Sequence, residues 1–262
     1  MPTPEPGVLT KLDDCVLNVR LNRPKVNAIN AEMIRALHDS FRQAERDERV
    51  RCVLLSAAGD VFSAGQDMLE IKDAEGTSFR GHLQRTYNPL ILQIRKLPKP
   101  VLVAVNGPVS GAALGIVLAC DLRVAADNAR FVVGFSGVGL APDSAVSLLL
   151  PALIGLGRAS EYTFTNAPVD AQQALALGLV NRVVPAAELE MLAQSMASAL
   201  AHGPIHAMGL AKRAFNNAVL ANLEQVLDYE AYMQDIAALR DEHSEGVQAF
   251  LGKRLPVFYT PK

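Results

Sequence analysis

The sequence contains no tryptophan, few cysteines and almost no net charge, and each shortage excludes a class of protein. The 262 residues carry 25 Lys and Arg against 27 Asp and Glu, a formal net charge of −2. Nucleic-acid binding normally needs a basic face, so we expect no nucleic-acid partner. Cys15, Cys52 and Cys120 form no CxxC pair. Neither a disulfide framework nor a zinc site is therefore expected.

Nothing in the sequence predicts a membrane span or a secretory signal. Residues 100–120 are uncharged, but the turn at 106–108 divides them into a strand and a helix that are each too short to cross a bilayer. The first ten residues lack the basic and apolar regions of a signal peptide. We therefore expect a cytoplasmic protein with no membrane partner.

Short motifs that mark common enzyme classes are also missing. There is no Walker A sequence, no GxSxG nucleophile elbow and no GxGxxG fingerprint. His202 and His206 are four residues apart, but Pro204 lies between them and no HExxH glutamate accompanies them. The sequence thus favours neither a P-loop, a Rossmann domain nor a metal site.

Apolar runs typical of strands alternate with helical patterns along the first two thirds of the chain. Strands are predicted at 15–21, 50–56 and 101–105, and helices at 30–47 and 78–96. Strands that are apolar throughout and alternate with helices indicate a largely parallel sheet covered on both faces. The predicted fold class is α/β.

The last part of the chain has a different character. After a strand predicted at 179–185, the pattern from Ala186 to about Gly252 is helical, with breaks predicted at 202–204 and near His243. We therefore predict an α/β core over residues 1–200 and a helical assembly region over residues 201–262.

Two strand-to-helix junctions consist of small residues. They are FSAGQD at 62–67 and PVSGAALG at 108–115. A helix N-terminus carries unpaired N–H groups, so either junction could bind an oxyanion that approaches closely. Alternatively, Gly and Ala could serve only to pack a helix tightly against a strand.

Asp143 is the only charged residue between Arg130 and Arg158. A helix is predicted from Ser144, so Asp143 could be its N-cap. Alternatively, apolar surroundings could raise the pKa of this carboxyl enough for proton transfer.

Several motifs in order resemble the enoyl-CoA hydratase/isomerase, or crotonase, family. The resemblance covers nearly the whole chain and is therefore more specific than any one motif. Its segments are 21–30, 62–67, 103–125, 135–155, 174–185 and 250–258.

The resemblance implies a crotonase-like spiral of β-β-α repeats with a C-terminal helical trimerisation region. It further implies an acyl-CoA thioester substrate, a homotrimer or dimer of trimers, and no cofactor beyond the coenzyme A of the substrate. The backbone N–H groups of Gln66 and Ala112 would form an oxyanion hole on the thioester oxygen. Positions implied to bind substrate or CoA are Lys25, Val26, Ala28, Ala64, Gly65, Asp67, Gly111 and Pro142, and Lys253 is implied near a CoA phosphate.

Departures from the family pattern bear on the reaction. The two glutamates of a family hydratase are replaced by Gly115 and Phe135, which argues against water addition. Asp143 falls where some isomerases of the family carry their acid/base and where a dehalogenase carries its nucleophile. The dehalogenase site needs a tryptophan, and this chain has none. We therefore expect an isomerase with Asp143 as its acid/base.

Two alternatives remain open at this stage. One is a hydratase or lyase that uses a carboxylate elsewhere, and the other is an acyl-CoA-binding protein without catalytic activity. Residues 73–92 are expected to line the acyl pocket. Within them, His82 and Tyr87 could contact the substrate, or they could be a solvated helix position and a core aromatic.

Overall fold

The computed structural model describes residues 6–23, 25–73 and 78–260. Strands are interspersed with helices up to residue 184 of the described chain, as the α/β prediction requires. The strands are β1 (Val8–Asp13), β2 (Val16–Leu21), β3 (Cys52–Ala57), β4 (Val101–Val105), β5 (Val109–Ser110), β6 (Leu122–Ala126), β7 (Arg130–Val132), β8 (Val169–Asp170) and β9 (Arg182–Val184).

The helices become denser toward the C-terminus. They are α1 (Ala31–Arg46), α2 (Met68–Asp73), α3 (Phe79–Arg85), α4 (Tyr87–Lys96), α5 (Ala112–Ala119), α6 (Val146–Ile154), α7 (Leu156–Thr165), α8 (Ala171–Ala176), α9 (Leu189–Ala201), α10 (Ile205–Val219), α11 (Leu223–Ala238) and α12 (Asp241–Leu251). Short 3-10 turns lie at Ser136–Val138 and Ala186–Glu188. The prediction that the end of the chain is helical is confirmed.

Among the described residues, the main sheet has six strands in the order β1-β2-β3-β4-β6-β9. Only β1 runs antiparallel to its neighbour, and the other neighbouring pairs are parallel. Three further strands form a second sheet in the order β5-β7-β8. The largely parallel sheet predicted from the apolar strands is therefore confirmed.

Both faces of the main sheet are buried, because successive side chains of a strand point to opposite faces. Leu54 and Leu102 face α9 and pack in a cluster with Ala193. Val53 and Val103 face the larger core, which contains α1, α4 and α5. This explains why strands β3 and β4 are apolar without alternation.

Helix α5 is buried on every side, which accounts for the uncharged stretch at 100–120. All of its residues are buried, and its sequence AALGIVLA carries no polar side chain. No described helix is long and apolar enough to cross a membrane. The uncharged stretch is thus interior sequence, as predicted.

The structure corrects the predicted element boundaries in three places. The helix predicted over 78–96 is divided at Thr86, whose φ of −122° and ψ of −88° are not helical. The break predicted near His243 lies earlier, because α12 already begins at Asp241 and His243 is buried within it. Strand β1 was not predicted from the sequence, because most of its side chains are exposed and show no apolar pattern.

The C-terminal helices pack against the α/β core through buried charges as well as apolar contacts. Lys212 of α10 donates to Asp121 at 2.8 Å and to the Ile94 carbonyl oxygen at 2.8 Å. Arg95 of α4 forms an ion pair with the same aspartate at 3.0 Å. A division of the chain near residue 200 stays a prediction.

Candidate active site

The two small-residue junctions lie side by side and are joined by backbone hydrogen bonds. The Phe62 N–H donates to the Pro108 carbonyl oxygen at 3.0 Å, and the Ser110 N–H donates to the Ser63 carbonyl oxygen at 3.1 Å. The Ser110 hydroxyl donates to the Ala64 carbonyl oxygen at 3.0 Å. These bonds fix the end of one junction against the end of the other.

Glycine is required where the junctions approach each other. Gly65 has a φ of +91°, and a Cβ at this position would lie 2.9 Å from the Ser110 carbonyl oxygen. Gly111 also has a left-handed φ, at +58°. Both positions favour a residue without a Cβ.

This geometry leaves two neighbouring backbone N–H groups without an acceptor. Ala112 is the first residue of α5, so its N–H has no partner within the helix. Within the part of the chain that the structure describes, neither the Gln66 N–H nor the Ala112 N–H donates a hydrogen bond. Both residues line the same cavity, where the two groups are available to an oxyanion.

The side chain of Gln66 is held by a hydrogen bond to His82 of α3. The side-chain nitrogen of Gln66, Nε2, lies 2.9 Å from His82 Nε2 and donates a hydrogen bond to it. Burial is the main cause that lowers the pKa of His82, which keeps the ring neutral and able to accept this bond. His82 thereby fixes the residue whose backbone N–H faces the cavity.

Asp143 lines the cavity as well and is buried, with 4 % of its surface exposed. One carboxylate oxygen accepts from the Ser144 hydroxyl at 2.7 Å, and the other accepts from the Gln234 side-chain amide at 2.7 Å. Burial raises the pKa of Asp143 to about 6, although both hydrogen bonds lower it. The alternative of a raised carboxyl pKa therefore fits the structure.

Of the two alternatives for Asp143, the N-cap is excluded. Helix α6 begins at Val146, not at Ser144, and the Asp143 carboxylate accepts no helix N–H. The carboxylate of Glu230 takes that place. It accepts from the Ala145 N–H at 2.7 Å, from the Ser147 N–H at 2.9 Å and from the Ser147 hydroxyl.

The turn that links Asp143 to α6 is strained. Ser144 and Ala145 have φ values of +56° and +64°, which cost about 1 kcal/mol or more each for residues with a Cβ.

Burial raises the pKa of Glu230 to about 7, and the charge of Asp143 adds to this rise. Glu230 could not be predicted from the sequence around Asp143, because it lies far along the chain on α11.

The same turn packs directly on α5 at Gly115. A Cβ at this position would lie 2.4 Å from the Ser144 carbonyl oxygen and 2.5 Å from the Ser144 Cβ. No side chain fits there without moving the turn. Phe135, the second position compared with the hydratase glutamates, is buried and lines the cavity.

The cavity has a volume of about 560 Å³ and a mainly apolar lining. Its wall contains aromatic and aliphatic side chains from several elements. They include Val61, Met68, Phe79, Val109, Phe135, Val138 and Leu140. Such a wall suits an apolar group that carries a few polar atoms.

The structure brings some of the sequence-predicted residues into this cavity and places others beside it. Those that line it are Val26, Ala64, Gln66, Gly111, Ala112 and Asp143. Those outside its lining are Lys25, Ala28, Gly65, Asp67, Pro142 and Lys253. Asp67 forms an ion pair with Arg23 at 2.7 Å and accepts from the Leu69 N–H at 2.9 Å, so its carboxylate is already engaged.

Among the described residues of the segment 73–92, few line the cavity. Phe79 lines it, whereas His82 and Tyr87 do not. Tyr87 is fully buried, and burial raises its pKa well above the usual value, as for a core aromatic. Residues 74–77 of this segment lie outside the described residues.

The C-terminal segment forms a wall that the sequence analysis did not assign. Phe250, Arg254 and Pro256 line the cavity. Both guanidinium N–H groups of Arg254 donate to the Glu245 carboxylate, which also accepts from the Val257 N–H at 2.7 Å. The motif at 250–258 predicts a role for this segment, but the residue expected near the substrate was Lys253, and Arg254 is the one that lines the cavity.

Metal ligands are not grouped in the described residues. No set of three or more His, Cys, Asp or Glu side chains there is placed to hold a metal ion.

Comparison with known proteins gives one consistent family. The model of the enoyl-CoA hydratase/isomerase family matches residues 11–261. The 1,2-epoxyphenylacetyl-CoA isomerase of Escherichia coli (strain K12) is 39% identical over 256 residues, which cover 96% of this chain and 97% of that protein. The short-chain-enoyl-CoA hydratase of Clostridium acetobutylicum is 32% identical over 253 residues, with 95% of each covered.

A solved structure agrees with these sequence relatives. The crystal structure of an enoyl-CoA hydratase from Mycobacterium avium subsp. paratuberculosis K-10 matches with a TM-score of 0.88 and 33% sequence identity. The match covers 98% of this chain and 100% of that one. The crotonase-like fold predicted from the sequence is confirmed.

Replacing Asp143 by Asn is expected to stabilise the fold at neutral pH. Burial raises the carboxyl pKa from 3.8 to about 6, so the folded state binds the proton more tightly than the unfolded chain. The resulting penalty develops as the pH rises from the lower value to the higher one. We expect the free energy of unfolding of Asp143→Asn to exceed that of the wild type by about 1–3 kcal/mol at neutral pH.

Urea unfolding at neutral pH and at about pH 4 measures this difference. The gain should shrink at the lower pH, because the folded carboxyl is then protonated and the unfolded carboxyl, with its pKa of 3.8, is only partly ionised. A variant that is less stable than the wild type at neutral pH would contradict the burial argument.

Proposed function

The chain belongs to the enoyl-CoA hydratase/isomerase family, and we propose that within this family it is an acyl-CoA isomerase. It would move a proton between carbons of an enoyl-CoA or related thioester. One observation carries this proposal. Asp143 lines an apolar cavity together with the N–H groups of Gln66 and Ala112, which have no acceptor within the described part of the chain. The reaction needs no cofactor beyond the coenzyme A of the substrate.

In the proposed mechanism, the thioester oxygen accepts hydrogen bonds from the Gln66 and Ala112 N–H groups. These bonds stabilise the negative charge that develops when a proton leaves the α-carbon. The Asp143 carboxylate takes this proton from a 3-enoyl thioester, which leaves a dienolate. The same carboxyl then returns the proton to the γ-carbon and gives the 2-enoyl product, so Asp143 ends in its starting state.

The surroundings of Asp143 suit a proton that is taken and given back. With a pKa of about 6, the carboxyl is ionised at neutral pH but is a stronger base than an exposed aspartate. Its hydrogen bonds come from Ser144 and Gln234, not from the helix N–H groups that would hold it permanently as an anion. Transfer in both directions is therefore accessible.

Hydration is supported less well than isomerisation. Water addition in the family pattern needs two glutamates, and Gly115 and Phe135 occupy those positions. The Ser144 backbone fills the space that a side chain at 115 would need. Among the described residues that line the cavity, Asp143 is the only carboxylic acid. The similarity to hydratases and to an isomerase does not by itself distinguish the two reactions.

We also propose where the coenzyme A portion lies. Val26 and Arg254 line the cavity and are both partly exposed, which favours this side as the entrance. Lys25 is exposed beside Val26, and Lys253 is exposed beside Arg254. This arrangement offers cations to the CoA phosphates and is compatible with the positions implied by the family resemblance.

Asp143→Asn is expected to lower turnover of a 3-enoyl-CoA by at least about 100-fold, because an amide cannot accept the substrate proton. The wild type should not hydrate crotonyl-CoA, so its enoyl absorbance should stay constant. Asp127→Asn, at an exposed carboxylate outside the cavity, is the matched control and should keep wild-type turnover.

Unchanged turnover in Asp143→Asn would refute the proposed mechanism. Rapid loss of crotonyl-CoA absorbance in the wild type would favour the hydratase alternative. Tight binding of CoA esters without turnover of enoyl or epoxide thioesters would favour a non-catalytic binding protein.

Ala112→Pro tests the proposed oxyanion hole without changing a polar side chain. Proline is tolerated at the first position of a helix, but it removes the N–H that faces the substrate oxygen. We expect kcat/KM to fall by about 100- to 1,000-fold. Leu156→Pro, at the first residue of α7 and also after a glycine, is the control and should retain activity. Equal activity of both variants would argue against the oxyanion hole.

We further propose that the chain assembles as a homotrimer or a dimer of trimers. Apolar side chains of the C-terminal helices and the adjoining segment are more exposed than an isolated chain would favour. They include Leu210, Phe215, Val219, Tyr229, Tyr232, Ile236, Leu239 and Leu255. Sedimentation velocity should give the mass of three or six chains, and a monomer would contradict the proposal.

A further inference from the structure

Helix α11 presents two buried polar side chains, one turn apart, to the turn that carries Asp143. Glu230 and Gln234 are 3 % and 0 % exposed, respectively. Residues four positions apart lie on the same face of a helix. Both side chains therefore reach the same short segment, from Ala141 to Ser147.

Gln234 acts on Asp143 directly. Its side-chain nitrogen donates to the Asp143 carboxylate at 2.7 Å and to the Ala141 carbonyl oxygen at 2.7 Å. The two donated bonds fix the orientation of the amide and, through it, one oxygen of the carboxylate.

The other end of the same amide is unsatisfied. The Gln234 Oε1 atom is buried and, among the described residues, has no hydrogen-bond donor. A buried acceptor without a partner destabilises a fold. The amide at position 234 is therefore explained by what its nitrogen does, namely hold Asp143 and the chain beside it.

Glu230 acts on Asp143 through the backbone. Its carboxylate accepts from the N–H groups of Ala145 and Ser147 and so holds the left-handed pair Ser144 and Ala145 in place. Ser144 in turn donates its hydroxyl to the second oxygen of Asp143 at 2.7 Å. Each oxygen of Asp143 thus receives one bond, and both bonds depend on α11.

Helix α11 also holds the helix that forms another part of the cavity wall. Asp235 accepts from the Ser78 hydroxyl at 2.9 Å and from the Arg80 N–H at 3.0 Å, at the start of α3. Helix α3 supplies Phe79 to the cavity and His82 to the Gln66 side chain. One helix therefore fixes both the carboxylate and elements beside the oxyanion-binding amides.

We propose that Gln234 and Glu230 are positioning residues for Asp143: Gln234 orients its carboxylate, and Glu230 holds the turn that directs it into the cavity. This inference rests on the proposed function only where turnover is concerned. The hydrogen-bond geometry of Asp143 can be tested without any reaction.

The ionisation of Asp143 responds to the groups that surround it. Ser144 and Gln234 donate to it, Glu230 adds a second carboxyl from α11, and the buried Tyr87 phenol from α4 is close enough for Asp143 to affect its pKa. Removal of the Gln234 donor takes away one of the two bonds that favour the ionised form. The pKa of Asp143 should then rise.

Gln234→Met, which keeps the length of the side chain without its polar atoms, is the main test. Carboxyl resonances of 13C-labelled aspartate, with Asp143 assigned by its loss in Asp143→Asn, give the pKa in the resting protein. We expect an increase of about half a unit or more. Gln225→Met, the same change at an exposed position of α11, should leave this pKa unchanged.

The kinetic test uses the same pair of variants. Gln234→Met should lower kcat about 10-fold or more, keep KM within about twofold and shift the acid limb of the pH profile upward. Gln225→Met should match the wild type. An Asp143 pKa and a kcat in Gln234→Met equal to those of Gln225→Met would overturn the inference for Gln234.

Glu230→Gln tests the second residue, since it replaces one of the two acceptor oxygens by an amide nitrogen, which cannot accept an N–H. We expect kcat to fall about 10-fold with KM nearly constant, and Glu230→Asp to recover part of the loss. Reduced thermal stability with wild-type kcat would overturn the inference for Glu230.

If Gln234→Met does not fold, Gln234→Glu keeps the size of the side chain and should raise the pKa of Asp143 through like charge.

The two proposals fail in different ways. If the wild type turns over no enoyl-CoA but Gln234→Met still shifts the pKa of Asp143, the isomerase proposal is wrong and the positioning by Gln234 stands. If the wild type is an active isomerase and neither pKa nor kcat responds to Gln234→Met, the positioning is wrong and the isomerase proposal stands.

Discussion

The contact between the Ser144 backbone and Gly115 is the constraint on which the site depends. Because a Cβ at position 115 would lie 2.4 Å from the Ser144 oxygen, α5 and the left-handed turn can meet only if residue 115 has no side chain. The same contact lets Asp143 line a cavity with the N–H groups of Gln66 and Ala112. This close approach therefore excludes an acidic side chain at position 115, and it accompanies the placement of Asp143 at the cavity.

The sequence predicts those parts of the site that are encoded locally. The two junctions are recognisable from their small residues, which lie between a predicted strand and a predicted helix. The isolated charge of Asp143 also marked it, since burial of a lone carboxyl in an apolar segment raises its pKa. Its distinction from an N-cap, however, needed the position at which α6 begins.

The remaining parts could not be predicted because they depend on contacts between distant segments. Glu230 caps α6 from α11, and no local pattern assigns a glutamate to a helix N-terminus that lies so far along the chain. Arg254 lines the cavity while the neighbouring Lys253 does not, since the backbone conformation decides which side chain faces inward. The family resemblance identified this segment, but it did not predict that Arg254 and not Lys253 lines the cavity.

The residues that line the cavity are spread along the sequence from Val26 to Pro256, almost the whole length of the described chain. Contacts between residues so far apart in sequence form late, because a long loop must close before any contact stabilises it. Partly folded chains would thus hold the sheet and many helices before they hold a substrate. In refolding experiments, recovery of binding is a stricter criterion of the native state than recovery of helical signal.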